Sequence, residues 1–203
     1  MRIGIIGAGS VGAALARASA QANHSVLISS DDGEEQRVAS EVGGTAVSNS
    51  EVVDSADVVI LAVPFEAVGA IMQDVGGRLA GKAVIDVSNR FAGDQLDAPS
   101  NAEKVQEMAG GAKVVKAINT IFAGNQDSPT LDGVQLDGFV AADDEGAKRT
   151  VLAFVESLGF RPIDVGPLAM ARALEGMGTL NISLNMKDGA QWKTGWKLLG
   201  PLP

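Results

Sequence analysis

The chain has 203 residues, with no cysteine, no tyrosine and a single histidine, and its formal net charge is −9. Those absences exclude a disulfide framework, cysteine-ligated zinc, iron–sulfur clusters, thiol nucleophiles, a phenolic proton donor and a multi-histidine metal site. The Lys and Arg residues, 16 against 25 Asp and Glu, are scattered singly, which argues against nucleic acid and against anionic membrane surfaces as partners.

The first apolar run, 2–6, reads as a strand and leads into Gly7-Ala8-Gly9-Ser10-Val11-Gly12. That run fits G-x-G-x-x-G between a strand and a helix predicted over 10–22, the context a dinucleotide site requires. Gly7 permits the tight turn, Gly9 lets the backbone approach a pyrophosphate, and Gly12 lets the helix pack on the strand. The N–H groups of Ser10 and Val11 then open the helix toward the phosphates. Gly4, Gly7, Gly9 and Gly12 in the N-terminal segment argue against a secretory leader, so the expected location is cytoplasmic.

A second strand, 25–29, ends in Ser30-Asp31-Asp32. Asp31 stands 19 residues after Gly12, close to the spacing of a carboxylate that bonds the adenosine ribose diol. Paired carboxylates would repel a 2′-phosphate, so NADH is expected over NADPH, with Ser30 able to bond the ribose of either. The other reading is that Asp31 and Asp32 cap the next helix. His24 falls at the end of the first helix, on the amino edge and away from this site.

Further elements follow in order. A helix is predicted at 34–41, strands at 45–47 and 58–63, a helix at 66–75, a strand at 83–87, a helix at 102–108 and a strand at 114–118. The run Val58-Val59-Ile60-Leu61 is apolar throughout rather than alternating, as in a parallel sheet covered on both faces. Strand exits place Ala62, Val63 and Pro64, then Asn89, then Asn119 and Thr120, on the carboxyl edge where the cofactor would lie. Residues 123–138 read as loop. A strand at 139–142, a helix from 144 to 158 and a strand at 161–165 complete the pattern. A final helix is expected from Pro167 to about Met186, then a tail carrying Trp192 and Trp196. Spaced i, i+4, these would share a face if the tail were helical. The fold class is therefore α/β: a doubly wound, mostly parallel sheet of the Rossmann type over 1–165, with a small helical C-terminal part, 166–203, packing over the cleft.

With no Tyr–Lys relay, no zinc site and no placed catalytic His, no catalytic acid or base is assigned. Hydride transfer between two conjugated cofactors suits such a site, because the protein then supplies mainly position and hydrogen bonds. Three further segments bear on this: Ala62-Val63-Pro64-Phe65, Val115-Lys116-Ala117-Ile118-Asn119-Thr120-Ile121-Phe122 and Asp164-Val165-Gly166-Pro167-Leu168. With the glycine run, they resemble the coenzyme F420-dependent NADP oxidoreductase family. That resemblance implies hydride transfer between a nicotinamide and a deazaflavin, coenzyme F420, or a similar flavin-like acceptor. It also implies a C-terminal part closing over the cleft, and a homodimer. By resemblance, Gly9, Ser10, Val11, Ser30, Pro64 and Ala117 map onto contacts with the nicotinamide dinucleotide, and Asn119 onto the edge of the deazaflavin pocket.

Two features depart from the family pattern. Asp31 stands where a basic residue is usual, and the tail with both tryptophans is additional. An anionic coenzyme would need local cations, with Arg90, Lys116 and Arg172 as candidates. The competing readings are a non-catalytic NAD(P)-binding module or redox sensor, and a small imine- or hydroxyacid-type reductase.

Overall fold

The computed structural model describes residues 1–90 and 98–201. The apolar runs form β1 (Arg2–Ile6), β2 (Ser25–Ser29), β3 (Thr45–Ala46), β4 (Val58–Leu61), β5 (Ala83–Asp86) and β6 (Lys113–Ala117). Between them lie α1 (Ser10–Gln21), α2 (Glu35–Val42), α3 (Asn49–Ser55), α4 (Phe65–Val75) and α5 (Asn101–Met108). Then come α6 (Ala123–Gln126), the short strands β7 (Thr130–Leu131) and β8 (Val134–Gln135), β9 (Asp137–Ala142), α7 (Glu145–Ser157), β10 (Arg161–Asp164) and α8 (Ala171–Asn185).

The main sheet runs in the order β10-β9-β6-β5-β4-β1-β2-β3. The chain winds outward through β2 and β3, returns to β4, and winds the other way. The reversal between β1 and β4 opens a crevice at the carboxyl ends of the strands. All pairings in this sheet are parallel except β6 with β9, where Val115 faces Ala142. Neighbouring strand residues point to opposite faces. Ile60 belongs to the cluster that holds Leu15, Val38 and Phe154 on one side, and Val59 to the cluster that holds Val52, Ile71 and Val105 on the other. The C-terminal part is not set apart from this body. Ala171 joins the second cluster, and Leu174 packs with Phe139, Ala141, Ile163 and Trp196.

Four sequence expectations need correction. Residues 48–55 hold α3, whose Ser48 and Glu51 form a reciprocal capping box. That S-x-x-E signature was in the sequence, but seven residues are too short to show a helical period. The segment 123–138 is not all loop: it holds α6 and the β7–β8 hairpin. The last helix does not start at Pro167. One 3₁₀ turn, Leu168–Met170, precedes α8. Among the described residues the tail contains no helix, so the condition for Trp192 and Trp196 to share a helical face is not met. Trp196 packs inward with the Phe139 cluster, while Trp192 stands edge-on to Phe122. Among the described residues, no helix is long and apolar enough to cross a membrane.

Candidate functional site

The turn after β1 is built from glycine because two of its positions admit nothing larger. Gly7 has φ +110°, its N–H donates to the Ser29 carbonyl at 2.8 Å, and a Cβ there would lie 2.3 Å from the Ala62 carbonyl oxygen. A Cβ on Gly12 would lie 1.9 Å from the Gly7 carbonyl oxygen. Gly9 differs: a Cβ there would meet no atom within 4 Å. It is the N-cap of α1 and supplies no side chain to the helix start. The first-turn N–H groups of a twelve-residue helix therefore face open space with a favourable dipole.

At the exit of β2 the two carboxylates separate. Asp32 accepts from the Ser30 hydroxyl and, at 3.1 Å, from the Glu34 N–H. The Ser30 hydroxyl, then that N–H, hold the Asp32 carboxyl below its usual range. Glu34 is the N-cap of α2. Asp31 is exposed and lines a recess with Ser30, Gly9 and Pro64.

Three recesses follow one another along the carboxyl edge. One of about 470 Å³ lies over Ser30, Asp31, Gly7 and Gly9. It shares Gly9, Ala62, Val63 and Pro64 with a second of about 530 Å³, which reaches Val87, Asn89 and Lys104. The second shares Ser10, Val11, Val87 and Asn89 with a third of about 480 Å³, lined also by Ile118, Asn119, Phe122, Ile182 and Trp192. The order of these walls is that of the strands: β2, β1, β4, β5, β6. They form one trough across the switch point.

Of the residues expected here, Gly7, Gly9, Ser10, Val11, Ser30, Asp31, Ala62, Val63, Pro64 and Asn119 line the trough. Gly12 lies beneath it and shapes the turn. Ala117 is placed differently from these. It is fully buried in β6 and lines none of the three recesses, whereas Ile118, with φ +66°, and Asn119 do. Thr120 is buried and also lies outside the lining.

Asn119 Nδ2 donates to Asn89 Oδ1 at 2.8 Å and to the Leu174 carbonyl at 2.9 Å, while Asn89 Nδ2 donates to the Asn119 carbonyl at 2.9 Å. These bonds tie the exits of β5 and β6 to α8. His24 sits at the opposite edge, with Nε2 2.8 Å from Ser157 Oγ, and burial followed by the N-terminal ammonium lowers its pKa.

The three candidate cations are committed elsewhere. Lys116 is fully buried, with Nζ 2.8 Å from Asp86 and 2.9 Å from Glu175, and it also donates to the Ser88 carbonyl. Arg90 Nε lies 2.9 Å from the other oxygen of Glu175. Arg172 pairs with Glu103 at 2.7 Å and holds that carboxyl down to about 2. Arg90 also lines the second recess, and Lys104 lines it too, with its Nζ 5.4 Å from the Phe65 ring centroid.

Glu175 was missed from the sequence. It lies in α8 on the face of Ala171, Leu174 and Gly178, so a carboxylate interrupting that small, apolar stripe was the available signal. Besides two cations it accepts from the N–H groups of Asn101 and Ala102, at 3.2 and 3.3 Å.

Comparison with known proteins agrees with this architecture. Residues 2–90 match the family model described as NADP oxidoreductase, coenzyme F420-dependent. The F420-dependent NADP reductase of Methanothermobacter marburgensis is 30% identical over 215 residues, covering 93% of this chain and 94% of that protein. The chain belongs to the F420-dependent NADP reductase family. A candidate F420-dependent NADP-reductase from Arthrobacter sp. FB24 superposes with a TM-score of 0.81 at 27% identity, covering 91% of this chain and 93% of that one. Metalloreductase STEAP3 of Rattus norvegicus is 30% identical over 175 residues, but this F420-dependent NADP reductase family member, matched over 86% of its own length, spans only 36% of that protein.

The residues of this family member fit a nicotinamide dinucleotide on their own geometry. Gly9 leaves an open cradle, no side chain caps the α1 N-terminus, and Asp31 places an exposed carboxylate in the recess at the β2 exit. Among the described residues, no cluster of His, Asp or Glu is arranged to hold a metal ion.

Proposed function

We propose that this chain moves a hydride between a nicotinamide dinucleotide and coenzyme F420 or a flavin-like acceptor, with both rings held in the trough. The observation that carries this reading is the continuity of the trough. It runs from a ribose-binding carboxylate, Asp31, across a phosphate cradle at Gly9, to an apolar lobe beyond Asn119 with room for a second ring. The reduced nicotinamide supplies the hydride.

The chain's own part is placement. The N–H groups of Ser10 and Val11 hold the pyrophosphate. Ala62, Val63 and Pro64 wall the path of the dinucleotide, and Val87, Ile118 and Ile121 exclude water from the reacting carbons. Stacked rings need about 3–3.5 Å between donor and acceptor atoms, a condition met by rigid walls rather than by acid–base groups. A binding module without turnover needs no second lobe, so the third recess favours catalysis. Purified protein given NADH or NADPH with F420, FMN or a ferric chelate is expected to bleach the nicotinamide band. Silence with every acceptor would contradict the proposal.

The relatives are named for NADP, whereas Asp31 favours NADH. Calorimetry is expected to show tighter binding of NADH in the wild type. Asp31→Arg should move the preference toward NADPH by roughly tenfold or more, a change of about 1.4 kcal/mol. Tighter NADPH binding by the unmodified chain would defeat the carboxylate argument. We also infer a homodimer, supported by the exposed Leu180 and Leu184 on the outer face of α8. Sedimentation should give twice the chain mass, and a monomer at micromolar concentration would refute it.

A further inference from the structure

The tail beyond α8 crosses the third recess and is pinned on the far side of Trp192. Asn125 Nδ2 donates to the carbonyls of Lys193 and Thr194 at 3.0 and 3.2 Å. Thr194 Oγ1 donates to Asn181 Oδ1 and accepts from Asn185 Nδ2, both at 2.6 Å. Further on, the Asp137 N–H donates to the Trp196 carbonyl at 3.1 Å, and the Asp137 carboxylate accepts from the Leu198 N–H. The tail is therefore fixed to α6, α8 and β9.

Directly before the Lys193 anchor, Trp192 takes φ +54°, a left-handed conformation that a bulky residue holds only when its surroundings impose it. Its ring stands edge-on to Phe122, with centroids 5.4 Å apart at 72°, and lines the recess beside Ile182. Yet the residue is 42% exposed. Packing alone does not account for a strained, half-open indole over an apolar recess, when its neighbour Trp196 is turned inward.

We propose that Trp192 is a specificity-determining residue: it forms the outer wall of the second-ring lobe and stacks on a planar fused-ring acceptor of the flavin or deazaflavin class. This rests on the hydride-transfer reading of the trough and names the acceptor class that the lobe selects. A large flat π-face presented to a fused ring gives stacking that a small non-aromatic acceptor cannot receive.

The test has two arms. In the first, tryptophan emission is followed while FMN or 5-deazariboflavin is titrated into protein saturated with NAD⁺, where no turnover occurs. Quenching is expected in the wild type and in Trp196→Phe, and should be much weaker in Trp192→Phe, whose emission comes from Trp196 alone. In the second, Trp192→Ala is expected to raise the KM for the ring acceptor by roughly tenfold or more. Trp192→Phe should recover most of this loss, and the Kd for NADH should not move. Equal quenching in Trp192→Phe, an unchanged KM in the alanine variant, or a parallel rise in the NADH Kd would each overturn the assignment. Quenching without turnover would preserve the wall and overturn the hydride reading, whereas turnover without quenching would do the reverse.

Discussion

Replacing Glu175 by alanine is expected to lower stability by about 3–5 kcal/mol, the range for removing one partner of a buried ion pair. Glu175 is fully buried and faces Lys116 and Arg90, themselves 0% and 5% exposed. Its loss removes the Glu175 carboxylate from Arg90 and leaves Lys116 with Asp86 and the Ser88 carbonyl. It also orphans the N–H groups of Asn101 and Ala102 at the start of α5. For a chain of this size the penalty corresponds to a fall in Tm of roughly 6–20 °C, readable by calorimetry. The half-exposed Arg172–Glu103 pair provides the contrast: its removal is expected to cost about 1 kcal/mol or less. Because Glu175 also fixes α8 over the sheet, where Leu174 holds Asn119, the variant should lose nicotinamide affinity together with stability. A Glu175→Ala protein that melts like the wild type would show that the cluster does not clamp α8.

The second large effect separates two glycines of one loop. Gly12→Ala places a Cβ 1.9 Å from the Gly7 carbonyl oxygen, a backbone atom that cannot step aside without opening the turn. The expected loss in dinucleotide affinity is roughly a hundredfold, about 2.8 kcal/mol, with a lowered Tm. Gly9→Ala makes the same chemical change in a position where a Cβ meets no protein atom within 4 Å. Its Tm should stay at the wild-type value, with affinity for NADH falling roughly tenfold because the added methyl occupies the pyrophosphate cradle. Calorimetry and thermal melts on both variants check this. Equal melting temperatures with equal affinities would refute the distinction.

Much of this geometry was legible in the sequence because it is local. The glycine spacing, the uninterrupted apolar strands and the exit residues Ala62 to Pro64 all act within a few positions of themselves. The same holds for Asp31, whose spacing from Gly12 predicts a carboxylate at the β2 exit, where it lines a recess with Gly9 and Ser30. What stayed hidden depends on partners far along the chain. Arg90, Lys116 and Arg172 read as available cations because a sequence displays charge and not the group opposite it. Lys116 meets Glu175 across 59 residues, and Arg172 meets Glu103 across 69. Ala117 lies beneath the trough lining for a related reason. The strand ends on it, and the left-handed Ile118 carries the lining to the next residues. The i, i+4 spacing of the tryptophans would give a shared face only on a helix, and among the described residues the tail forms none. An amide cluster of Asn125, Asn181, Asn185 and Thr194 holds the tail instead, and no periodicity announces it.

The central claim is that one trough holds donor and acceptor rings together and passes hydride directly between them. The measurement that tests it most directly is transfer of label from stereospecifically 4-deuterated nicotinamide, NADH and NADPH each in turn, to a deazaflavin, with mass spectrometry of the reduced product. Direct transfer predicts one deuterium bound to carbon of the product from one of the two C4 epimers, and none from the other. Label recovered in solvent, or divided equally between the epimers, would contradict it.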